Sequence, residues 1–248
     1  MDLAEVGSVG GFFALRTGAH GGAYVPFAQI YAGGLAPLSA RVDTVAGKLG
    51  APERRVAASV AQLGLAARLW SVALGSAALH GEVPDLDPAR LYWDPHRSSP
   101  DDLRLPEPRA VPTVGATAGG PPVTALAEAV REVVQHGHLV PLAAALRADG
   151  RISHRLLWGN AGSALAGAVR ELRVWSRQAG RPEAGERAAA IGAALFTHPD
   201  LRGTGTSRDG SFRRRSCCLY YRCPSGGLCG DCVFDRPPTR SSAREVSG

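Results

Sequence analysis

Residues 213–232 read RRRSCCLYYRCPSGGLCGDC and hold all five cysteines of the chain: Cys217, Cys218, Cys223, Cys229 and Cys232. The 216 residues before Cys217 contain none. Cysteines used as small apolar filler would be spread through the core, so this clustering marks a local task. An odd count fits a disulfide framework poorly, and the start MDLAEVGSVGGFFALRTG lacks the pattern of a secretory signal.

Cys217 and Cys218 are adjacent, ten residues separate Cys218 from Cys229, and two separate Cys229 from Cys232. A C-x2-C pair sets two thiolates on one tight turn, as a tetrahedral metal requires. Gly226, Gly227 and Gly230 free the backbone to turn its amides towards sulfur. Four soft thiolates favour zinc or an iron–sulfur cluster over magnesium or calcium. The spacing leaves that choice open. Structural zinc sites use two C-x2-4-C hooks, plant-type ferredoxins use C-x4-C-x2-C, and the adjacent pair departs from both. Redox-active thiols are the third reading.

Upstream, the pattern is helical. A helix is expected over 38–49 with Ser39 as N-cap, and a long buried one from Pro52 to Gly81. Helices follow at 123–147, at 154–178 after Ser153, and at 183–195. Residues 1–38 show no clean period and read as irregular, with one short helix. Nine prolines interrupt 82–122, where LYW at 91–93 and LRL at 103–105 read as short strands and 112–122 as a surface loop. Everything regular is expected to stop at HPDLRGTGTSRDGS. The fold class is mainly α with a small β insertion (α+β) and a C-terminal cysteine module. Its divisions are a helical body at 1–206 with strands around 88–114, the module at 207–235, and a disordered tail at 236–248.

Composition narrows the function. The chain has 248 residues, 45% apolar and 20% charged, with a formal net charge of +6. That is enough to bury a sizeable core. Lys48 is the sole lysine, so the arginine excess reads as coding bias of a GC-rich genome, and no basic stripe points to nucleic acid. No apolar run reaches the roughly 20 residues that span a bilayer, which leaves only peripheral membrane association open. GSVGGF near the N-terminus lacks the strand and helix of a dinucleotide site, so electrons are expected from a partner.

The cysteine segment resembles the C-terminal signature of the FhuF family of ferric-siderophore reductases, in the CC-x10-C-x2-C spacing and in RRRSCCLYYR and GGLCGDC. LLWGNAGSAL at 156–165 is similar to the family's LWGN-type helix, and RLWSVAL near Trp70 and VPDLDPARLYW also match. The resemblance implies a [2Fe–2S] cluster held by Cys217, Cys218, Cys229 and Cys232. It further implies a cytoplasmic reductase that passes single electrons to siderophore-bound ferric iron, supplied by a ferredoxin or flavoprotein. Cys223 lies outside the family pattern and reads as a free thiol on the loop, with ligand exchange or oxidation sensitivity as the sharper readings. Two ferric ions, two sulfides and four thiolates sum to −2, and reduction takes them to −3. Arg213, Arg214, Arg215 and Arg222 therefore favour the reduced form and are candidate docking residues for an acidic donor or an anionic chelate. The rival readings are a structural four-cysteine zinc site with no catalysis, and an iron–sulfur carrier or sensor for another system.

Elsewhere the candidates are weaker. Trp70, Trp158 and Trp175 read as core, and Asn160 as bracing a neighbouring loop. His136 and His138 form a pair without a third ligand, and His154 and His198 stand alone; surface or packing roles are expected for all four.

Overall fold

The computed structural model of the chain describes residues 1–19, 21–115, 120–208 and 210–238. Part of the loop at 112–122 and nearly all of the tail lie outside them. Two long helices organise the rest. Helix α4, Arg54–His80, follows the short α1 (Leu3–Gly7), α2 (Phe27–Tyr31) and α3 (Ala36–Leu49). Helix α7, His154–Gln178, packs along it. At 27 residues, α4 is about 40 Å long. By length and composition it could cross a bilayer, yet 78% of its most apolar window is buried inside the fold. It is a core helix, apolar on most of its surface because neighbours cover most of it. Leu69, Trp70, Ala73, Leu74 and Ala77 are fully enclosed. Trp70 also donates its indole N–H to the Ala161 carbonyl at 3.1 Å, tying α4 to α7.

Helix α8 (Pro182–Leu195) closes the other flank of α7. The run expected as one helix over 123–147 is in three parts: α5 (Val123–Val130), a π-helical stretch (Arg131–Leu139) and α6 (Val140–Asp149). The wider turn sends His138 inwards, where Tyr31 Oη lies 2.9 Å from Nδ1 and the Leu86 carbonyl 2.6 Å from Nε2. His136 faces solvent, so the two histidines form no metal pair.

Both expected strands exist, as β2 (Tyr92–Trp93) and β3 (Leu103–Arg104). A third, β1 (Val25–Pro26), pairs antiparallel with β2 from the N-terminal region that had read as irregular. Arg68 of α4 pins this layer. Its guanidinium donates to Asp102 at 2.9 Å and to the carbonyls of Gly11, Phe12 and Ala14. The expectation that order stops after α8 is corrected. A short α9 (Pro199–Arg202) leads into a hairpin of β4 (Gly205–Arg208) and β5 (Ser211–Arg214). That hairpin hands the chain to the cysteines.

Candidate metal centre

Strand alternation decides the first question, which arginines face the cysteines. In β5, Phe212 and Arg214 point inwards, while Ser211 and Arg213 point out. Arg214 is 2% exposed, so it is corrected from docking residue to buried cation. Arg213 pairs with Asp235 at 2.8 Å and Arg222 with Glu53; Arg213 and Arg215 are exposed.

The inward face of β5 needs α7 to be thin where it lands, and the WGNAGS run supplies this. A Cβ at Gly162 would strike Thr204 Oγ1 and stand 2.9 Å from Thr204 Cβ. One at Gly159 would strike the Ser216 hydroxyl and sit 3.4 Å from the Arg214 guanidinium. Between these glycines, Asn160 is fully buried. Its Oδ1 accepts from Arg214, and its Nδ2 donates to the Ser59 carbonyl at 2.9 Å and the Ser59 hydroxyl at 3.1 Å. Ser59 then donates to the Cys218 carbonyl at 2.7 Å. One turn further along α7, Ser163 donates to Asp231 at 2.5 Å, and the Arg214 amide donates to the Asp231 carbonyl at 3.0 Å. Asn160 braces, as the sequence implied. The roles of Ser59, Ser163 and Asp231 carried no sequence signal, because each is a common polar residue given meaning only by its partner. Trp158 is buried against His154, to whose Nε2 its indole donates at 2.8 Å.

These contacts gather the thiols. Cys217 and Cys229 lie close enough to act on the Cys218 sulfur, and Cys232 close enough to act on Cys217 and Cys229. The Cys218 thiol is held far below the usual thiol range, first by the S–H of Cys217, then by that of Cys229, with help from the Tyr220 amide and the Arg214 charge. Cys217 and Cys229 are pushed up because each donates to that sulfur. Leu219 is the one non-glycine residue at positive φ among those described (φ 68°), and that turn aims its amide at Cys217 Sγ, 3.2 Å away. The Phe234 amide approaches Cys232 Sγ at 3.5 Å. A side chain held at positive φ needs surroundings that over-determine it, and here they direct an N–H at sulfur. Cys223 is buried, and its thiol is raised by that burial first and by Cys218 second.

The donor set and its surroundings fit an anionic sulfur-ligated group. Arg214 keeps Nε and Nη1 buried with no hydrogen-bond partner among the described residues. Two orphaned donors on a buried cation are costly unless a negative group meets them. Among the described residues, no three His, Cys, Asp or Glu side chains converge as ligands of a single ion.

A thiol-rich segment carried on a helical body, with amides and a buried cation turned to the sulfurs, defines a candidate centre for an anionic sulfur-ligated group. Residues 214–234 match the FhuF 2Fe-2S C-terminal domain, so the chain is FhuF-like in this segment and its cofactor is a [2Fe–2S] cluster. Over 98 residues the chain is 35% identical to a protein of Escherichia coli (strain K12) named "Ferric siderophore reductase". That alignment covers 39% of this chain and 37% of the relative, little more than a third of each.

Proposed function

We propose that the protein is a ferric-siderophore reductase of the cytoplasm, with Cys217, Cys218, Cys229 and Cys232 as the four ligands of its cluster. The observation that carries this reading is the convergence of Cys217 and Cys229 on Cys218, with the buried Arg214 beside Cys218 and Cys229 and partly unpartnered among the described residues. When bound, the [2Fe–2S] group supplies one-electron transfer and no hydride or covalent chemistry.

The chain's own residues set the conditions. Arg214 places a positive charge beside the sulfurs, and the Leu219 and Phe234 amides add partial positive charge; all three favour the more negative, reduced form. Asn160 and Ser59 hold Arg214 and the Cys218 carbonyl in place. A ferredoxin or flavoprotein supplies electrons at the exposed Arg213 and Arg215. The substrate suits the chemistry: hard oxygen chelators match ferric iron and hold ferrous iron far less well, so one electron releases the metal.

The test is the visible spectrum of anaerobically purified protein before and after dithionite, with iron, sulfide and zinc analysis. The dithionite-reduced sample is then mixed with ferric chelates and a ferrous trap. A brown, bleachable protein that is reoxidised by a ferric chelate, with ferrous iron appearing in step, is the expected result. A colourless zinc protein that resists reconstitution would overturn the cluster assignment. A proper cluster that speeds iron release from no ferric chelate would make it a carrier or sensor.

A further inference from the structure

Beside the cysteines lies an open groove of about 440 Å³, walled by α4, α7, the loop 9–13 and the turn that carries Cys229. We propose that this groove is where the ferric chelate docks, presenting it to Cys229; the proposal rests on the reductase reading above.

Four observations lead there. The groove is lined by a cysteine of the centre itself, together with Gly230 and Asp231. A Cβ at Gly230 would meet nothing within 4 Å, so a molecule seated there approaches the ligand turn with no side chain between. The volume lies in the range of small-molecule sites, roughly 300–1,000 Å³, and the open side lets a larger chelate leave part of itself in water. The floor is made of small residues, Ala67 from α4 and Ala164, Gly167 and Ala168 from α7. They leave room that Leu or Phe would fill. Phe12 stands at the rim, 46% exposed, one of few large apolar side chains left in water. It offers the carbon framework of a chelate a surface to cover.

Arg214 is the polar group at the inner end, buried and with two unpartnered donors. Beside it Arg170 pairs with Asp231 at 3.5 Å and Glu171 also lines the groove, so two cations and two carboxylates balance and the walls select by shape. A second groove, of about 510 Å³, reaches only Leu219 of the cysteine segment and carries Arg55, Arg147 and Arg151. It is the rival site. The electron balance is simple: one electron leaves the reduced protein, Fe(III) in the groove becomes Fe(II), and a ferredoxin or flavoprotein restores the electron.

The test fills the floor. Gly167→Leu adds a side chain where a Cβ has only the flexible end of Arg170 at 3.7 Å, and Ala67→Phe fills from the facing helix. Binding is read on the cluster-loaded protein with gallium(III) complexes of one trihydroxamate and one tricatecholate siderophore. Gallium has the charge and size of ferric iron but accepts no electron, which separates docking from reduction. The expected result is gallium-chelate binding and KM each weakened about tenfold, with kcat, the visible spectrum and dithionite bleaching unchanged. Phe12→Ser, at the rim, should give a smaller loss in the same direction and serves where a floor variant loads poorly. Binding and KM unchanged in all three variants would overturn the proposal, as would Arg151→Gln raising KM while the groove variants do not. Wild-type protein that neither binds gallium chelates nor reduces ferric ones would instead overturn the reductase reading itself.

Discussion

The helical body and the cysteine segment are held together by different physics. Around α4 and α7 the core is apolar and continuous, and removing one contact leaves dozens. From Ser216 to Phe234 the chain has one turn of 3-10 helix (Tyr220–Arg222), and single hydrogen bonds fix its course. Ser59 holds the Cys218 carbonyl, Asn160 holds Arg214, Ser163 holds Asp231, and Glu53 holds Arg222. The body is thus a template, and the segment takes its shape from the template and from its metal. Redundancy protects the first region, whereas in the second each named bond has a distinct consequence.

The strongest way to break the comparison is Cys218→Ser. It removes the sulfur on which Cys217 and Cys229 converge. The visible spectrum should vanish completely after reconstitution, while far-UV circular dichroism keeps its helical signal. Loss of both together would show that the body depends on the cluster.

An acid titration addresses the body alone. Burial holds His138 neutral in the fold, lowering its pKa to about 4 from the usual 6.5. The unfolded chain therefore binds the proton first. This contribution to stability is complete above pH 6.5, is lost as pH falls from 6.5 towards 4, and changes no further below that. Its size is about 3 kcal/mol for a fully buried ring. Chemical denaturation across that window should show the loss in wild type, and His138→Gln should flatten it. A wild-type curve already flat from pH 6.5 to 4 would refute the buried neutral histidine.

Much of the body was legible because apolar periodicity is the signal of a packed helix. The helices at 54–80, 154–178 and 182–195 lie where the pattern put them. The π-helical stretch was not legible, because its one-residue offset is set by the burial of His138 against Tyr31 and Leu86 rather than by local composition. The β4–β5 hairpin was missed for a related reason. TGTSRDGS reads as a loop, yet Gly205–Arg208 and Ser211–Arg214 are strands, and Gly162 lets Thr204 and Phe212 close on α7. The cysteine spacing was plain to read, yet burial sorts Arg214 from Arg213, and strand parity within a missed hairpin decides that.

Gly162→Ala sharpens the boundary between the regions. The methyl group would press the segment off α7, at a cost of about 1–3 kcal/mol for an overpacked contact. Hydrogen exchange should quicken over 204–234 and stay slow in α4. Uniform quickening would mean that the two regions unfold as one.

Arg214→Gln acts more narrowly. The amide keeps a donor towards Asn160 but removes the buried charge beside the sulfurs. The reduced form should lose about tenfold in equilibrium constant, a fall of about 59 mV for a one-electron couple. A spectroelectrochemical titration measures this, and an unchanged potential would show that the cation only props the fold.

Cys223→Ala should do least. The thiol is buried beside Cys218, inside the spacer between the two proposed ligand pairs, and its proton is held on by burial. If it is only a small apolar filler, exchanging sulfur for a methyl group costs under about 1 kcal/mol and leaves spectrum, potential and iron content alone. The result matters because the ligand assignment needs four of five cysteines clustered within sixteen residues. A shifted spectrum in Cys223→Ala would place this sulfur on iron and displace one of the other four. An unshifted one, beside the colourless Cys218→Ser, would show that the segment discriminates between two buried thiols near each other. The difference would then lie in the backbone: Cys218 sits where Ser59 and the Leu219 turn hold it, and Cys223 one 3-10 turn further on.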